Sequence, residues 1–163
     1  TTIDEVIERL KEYSISEPDI VPPPTPEQIL EAENQLNIKF PPSFLVFLEK
    51  AGAYQLPFWE TYWVGDESLG YRNIVTANHR ERNDPTVELP DFLITFHDNG
   101  CGDNLCFDTR HPNSEGEYPI VFWDHELSRD DNLNNLSPLY PDFTSWLQDE
   151  IDMAAEMADE DDY

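Results

Sequence analysis

Positive charge is scarce in this sequence. Nine lysines and arginines stand against 35 aspartates and glutamates in 163 residues, a formal net charge of −26 at pH 7. Such a chain repels polyphosphates and anionic headgroups, which argues against nucleic acid or an anionic membrane as its partner. Cysteine is nearly absent. Cys101 and Cys106 are too few for a disulfide scaffold, and a reducing cytoplasm is the expected compartment. Long apolar runs are missing as well. The longest compact one, Phe44 to Leu48, falls far short of the ~20 residues that a membrane helix needs. The opening residues lack the pattern of a secretory leader. No nucleophile elbow, phosphate-binding loop or dinucleotide fingerprint occurs, and no serine or cysteine stands with a credible base.

What the chain does have is acid, and it is spread. Residues 1–24 carry a net charge of −4, residues 25–148 one of −14, and residues 149–163 one of −8. The folded body is therefore acidic in its own right and should attract basic partners. Twenty aromatic residues and 39% apolar content supply a real core.

The most strongly patterned stretch is Asp91 to Arg110. Phe92, Ile94 and Phe96 alternate with Leu93, Thr95 and His97, and after a turn Leu105 and Phe107 alternate with Asn104, Cys106 and Asp108. This period of two predicts a central hairpin, with Gly100 and Gly102 supplying its turn. Helices are predicted around it. Ile3, Val6, Ile7 and Leu10 share a face behind a Thr2–Glu5 capping box, and Thr25, Pro26 and Gln28 open a second helix. A third, apolar helix starts at Pro42 and ends with Gly52 as its left-handed C′ residue. Ile74 to Arg82 allows a helical turn or two. Residues 57–64 and 118–124 read as strands, and Glu126 to Ser137 as a polar loop. A last helix follows Pro141 with Phe143, Trp146, Leu147 and Ile151 on one face, and its acidic end, 158–163, should fray. The order implies an α+β fold with helices on one side of an antiparallel meander. The expected organisation is an N-terminal helix and proline-rich linker (1–24), one domain (25–151) and an acidic tail (152–163).

Metal-ligand residue types gather between His97 and His111: His97, Asp98, Asp103, Cys106, Asp108 and His111. Their spacing matches no zinc knuckle, and calcium loops fail at the required oxygen and glycine positions. A metal-dependent hydrolase on this span is therefore the weakest of the functional classes, and no cofactor is expected. Trp59 and Trp63 share parity on the predicted 57–64 strand, whose two faces point to core and to partner.

Three blocks carry a resemblance. Thr25-Pro26-Glu27-Gln28-Ile29 with Glu31-Ala32-Glu33, Leu36, Pro41-Pro42-Ser43-Phe44 and Phe47-Leu48 is the first. Leu89 to Ile94, Asn99 to Asp103 and Phe107-Asp108 form the second, and Phe143 to Leu147 the third. Together they resemble the SUKH superfamily, whose name covers yeast cell-wall assembly regulators and their bacterial relatives. The resemblance implies an α+β fold of SUKH type without enzymatic activity. It also implies a bacterial immunity protein that neutralises a cognate toxin domain, often a nuclease, or else a regulatory scaffold. A cationic toxin suits the charge, since a −26 surface steers a basic partner toward it. Carboxylates near the ends of predicted strands, together with Trp63, mark the candidate contacts: Glu60, Trp63, Asp66, Glu67, Asp98, Asp103, Asp124 and Glu126. Self-repulsion favours a monomer.

Overall fold

In the computed structural model, which describes residues 1–161, four strands form one antiparallel meander in the order β1-β2-β3-β4. They are β1 (Glu60–Thr61), β2 (Leu93–Asp98), β3 (Asn104–Asp108) and β4 (Ile120–Trp123). Six α-helices accompany them among the described residues: α1 (Ile3–Tyr13), α2 (Pro26–Leu36), α3 (Pro42–Lys50), α4 (Ile74–Asn83), α5 (Arg129–Asn135) and α6 (Phe143–Asp161). A 3₁₀ segment, Glu67–Arg72, precedes α4. The fold is α+β.

The sheet buries both faces, unequally. Ile94, Phe96, Leu105, Phe107 and Ile120 face the main core, where α1, α2, α3 and α6 deliver their apolar stripes. Phe44 of α3 sits at its centre, with ring centroids 5.3 Å from both Phe107 and Phe143 and 5.6 Å from Phe40. The other face carries Leu93, Cys106, Val121 and Trp123, covered by Val87, Leu89 and partly buried Leu133 and Leu136. Helices on one side only is therefore half of the arrangement, because α5 and the 84–92 segment close the second side. The first helix is part of the main core: Val6, Ile7 and Leu10 are buried there.

Capping explains the helix starts. Thr2 accepts from the Glu5 amide, and Thr25 and Gln28 form a reciprocal box. Pro41 and Pro42 open α3 with no capping side chain of their own. Buried Glu117, far along the chain, supplies the missing acceptor to the Ser43 amide at 2.9 Å. Its negative charge also suits the positive end of the helix dipole.

Several expectations are corrected. Residues 57–64 pair only at Glu60 and Thr61, because a turn over Leu56–Trp59 precedes them and Trp63 bridges to Asn73 instead. The polar 126–137 stretch contains α5, whose Ser128 cap accepts from the Asp131 amide at 3.1 Å. The acidic end predicted to fray continues α6 to Asp161, and residues 162–163 lie outside the described residues. Gly52 is not a left-handed cap. A Cβ there would stand 2.0 Å from the Val21 carbonyl oxygen, so the residue is needed for close approach. Finally, a bulge interrupts β2 between Thr95 and His97. It re-aims His97, whose ring lies 4.9 Å from that of Trp146 in α6, on the side that Phe96 also faces.

Candidate functional site

Strand register decides which acids meet. Glu60 pairs with Asp98, Asp98 with Asn104, and Asn104 with Trp123, so these positions form one row across the turn end of the sheet. Asp103 precedes Asn104, and Asp124 and Glu126 follow Trp123. Glu60, Asp98, Asp103, Asp124 and Glu126 thus line one edge, about 14 Å long at ~4.8 Å per strand step. Among the described residues, none of the five forms an ion pair with a lysine or arginine.

Their immediate partners are amides and one imidazole. Asp98 Oδ1 accepts from the Gly100 amide at 2.7 Å and the Gly102 amide at 3.3 Å. Both glycines have positive φ, which fixes the turn. Asp103 Oδ1 accepts from the His125 amide at 3.0 Å and meets its Nδ1 at 2.7 Å, while Asn99 donates to Oδ2 at 3.0 Å. Burial pushes the Asp103 carboxyl up, but hydrogen bonds from His125 and Asn99 outweigh it and hold it below the usual range. The same bond to Asp103, opposed by slight burial and reinforced by Asp103, Glu126 and Asp124, raises His125 above its ordinary value. Asp124 accepts from the Glu126 amide at 2.8 Å, and its own amide donates to Asn132 of α5 at 2.9 Å. Glu60 and Glu126 have no such duty among the described hydrogen bonds and stand exposed.

Three of the eight candidates lie outside the row. Trp63 is 4% exposed and stacks on Phe47 at 5.1 Å, so it is a core side chain with no surface to offer. Asp66 and Glu67 flank the start of the 3₁₀ segment. They line an open groove of about 860 Å³ shared with Gln28, Glu31 and Gln35 of α2.

The suspected metal-ligand span does not converge. His97 is buried, its Nδ1 2.9 Å from Thr61 Oγ1, and burial alone pushes it down to about 4. Cys106 is buried and its thiol is pushed up by desolvation. Asp108 is held by Arg110, which donates Nε at 3.0 Å and a terminal nitrogen at 2.9 Å. Asp103, Asp124 and His125 do bring one ligand-type atom each within 4.8 Å of the others. The bonds described above already use them to close the turn.

Two features escaped the sequence reading: the bond to Asp103 through which His125 locks the hairpin turn, and Phe58, 90% exposed at the tip of the turn that leads into β1. Pro57 marked that turn, but nothing marked the Phe58 conformation. Among the described residues, no helix is long and apolar enough to cross a membrane.

Comparison with curated proteins returns no match. Twelve chains of solved structures match. One is the crystal structure of a protein from Pseudomonas syringae pv. tomato, 22% identical, with a TM-score of 0.59 over 77% of this chain and 86% of that one. At that identity the likeness speaks to the fold. A family profile described as SMI1-KNR4 cell-wall matches residues 3–152, taking in the first helix that the resemblance had left outside. With nearly the whole chain inside that match, this protein belongs to the SUKH_5 family.

Proposed function

We propose that this chain is a non-enzymatic binding protein of the immunity type, which captures a cationic toxin domain on the turn end of its sheet. The observation that carries the reading is the row of five carboxylates with no lysine or arginine paired to it among the described residues. Uncompensated charge on a preformed edge is a standing field for a positive partner. It raises association rates by ~10–10³-fold and weakens as salt screens it. A nuclease active site must hold phosphates and is cationic for that reason, so a nuclease domain is the toxin class that fits best. The chain acts by occupying surface, with no chemical step of its own.

The test is direct. A gene for a basic toxin domain is expected beside this one, and its absence would count against the reading; the domain it encodes is purified and assayed alone and with a stoichiometric amount of this protein. Full loss of its activity is expected. A neighbouring toxin that keeps full activity in the presence of excess protein refutes the reading. The family description as SMI1-KNR4 cell-wall favours a second reading, a regulatory scaffold whose acid row docks a basic segment of a cellular partner.

A further inference from the structure

Leu56, Pro57, Phe58 and Trp59 form a tight turn in which the Trp59 amide donates to the Leu56 carbonyl at 3.4 Å. Proline at the second position and positive φ at the third is the type II pattern, and its third position is the one that glycine fills best. Here the third residue is Phe58, at φ 65. A bulky side chain in that region is a steric outlier that the fold holds at a cost. The ring recovers none of this by burial, being 90% exposed. A single exposed apolar residue is ordinary. An exposed aromatic held in a conformation that disfavours it is not.

The turn is also rigid. Trp59 stacks on Trp146 at 5.9 Å and meets Phe47 edge-on at 6.3 Å. Upstream, the Gln55 amide donates to Ser14 Oγ at 2.9 Å, and the Ile15 amide donates to the Gln55 carbonyl at 2.8 Å. Phe58 is thereby presented on a braced support. Ordering it on binding costs little, which is the property of an interface anchor. Two residues on, Glu60 pairs with Asp98 and begins the acid row.

We propose that Phe58 is the apolar anchor of the partner-binding surface, inserting into an apolar pocket that the partner rims with lysine or arginine. The acid row steers and orients the partner, and the ring supplies the desolvated contact that slows dissociation. This inference rests on the reading of the chain as a binder of a basic toxin domain.

The experiment uses a catalytically inactivated form of the toxin domain that the immunity reading expects beside the gene, with full-length wild type, Phe58→Gly, and Tyr71→Ala as a control. Tyr71 is 68% exposed and belongs to the 3₁₀ segment outside the acid row. Phe58→Gly should weaken binding at least ~10-fold, mainly through faster dissociation, while Tyr71→Ala binds as wild type. In thermal melts Phe58→Gly should unfold at the wild-type temperature or above it, because glycine relieves the turn. Wild type that binds alongside an equally tight Phe58→Gly overturns this inference alone. Wild type that does not bind overturns the immunity reading and this inference with it. A clearly lower melting temperature for Phe58→Gly would make the ring a structural support and overturn the anchor role.

Discussion

The two ends of the sheet treat their acids in opposite ways. At the far end, where β2 begins and β3 stops, Asp108 is gripped by Arg110, whose guanidinium also lies 4.1 Å from the Phe92 ring centroid. Asp91 stands 3.8 Å from Arg82. At the turn end, Asp98, Asp103 and Asp124 are held by backbone amides, Asn99 and His125, and among the described residues no arginine comes near enough to pair. Both ends are acidic, yet only at the far end do carboxylates beside the strands meet arginine. Net charge alone therefore does not distinguish the two ends; the arginines do.

The largest effect that tests this contrast concerns His97, the base buried beside the uncompensated end. If the acid row reached into the interior, it would hold a proton on this ring. Burial dominates instead and lowers it to about 4. The folded value lies below the unfolded one of ~6.5, so the unfolded chain takes up a proton that the native state refuses. Stability attributable to this site is complete above pH ~6.5 and falls as pH drops toward 4, by up to about 3 kcal/mol. Urea denaturation at pH 7 and 4.5 should show a steeper loss for wild type than for His97→Gln. Equal losses, or an imidazole titrating at 6.5 or above by NMR, would mean that the row's field does reach the core.

A smaller effect separates the ends directly. Asp108→Asn removes the anion from an arginine-bound site and should cost about 2 kcal/mol, whereas Asp103→Asn at the turn should cost about 1 kcal/mol. In the latter variant His125 should also fall back toward its ordinary value. A reversed order of the two costs would contradict the account. The smallest effect is kinetic. Glu60→Lys with Glu126→Lys should slow association with the basic toxin domain about tenfold at low salt, and high salt should erase the difference. The same change of charge at the far end, Asp91→Lys with Glu115→Lys, should alter the rate less than about twofold, although the Asp91 side chain is 98% exposed. Equal slowing by both pairs would reduce the contrast to net charge.

Much of this architecture is legible from residue order. Capped helix starts and the alternation through Leu93–Phe107 are local signals, and local physics sets them. What escapes depends on pairing. The β2 bulge turns His97 toward Trp146, and no period-two reading anticipates a skipped partner. Trp63 shares parity with Trp59, but the strand there spans only Glu60–Thr61 and Trp63 belongs to the core. The α5 sequence lacks an apolar period, and buried Asn132, bonded to both sides of residue 124, holds it in place. The acid row needs the register of four strands at once, so single positions such as Asp98 could be named while their company could not. Asp66 and Glu67 follow the predicted 57–64 strand just as closely, yet they lie elsewhere.

One contact has a consequence for how copies of this protein meet. A helix joined to its domain by a proline-rich span is the kind of element that two molecules can exchange. Here the Val21 amide donates to the Gly52 carbonyl at 2.9 Å, and only the missing side chain at Gly52 lets the two backbones lie so close. The span is thereby fastened to the end of its own α3. Lending α1 to a neighbour would mean tearing out that fastening first.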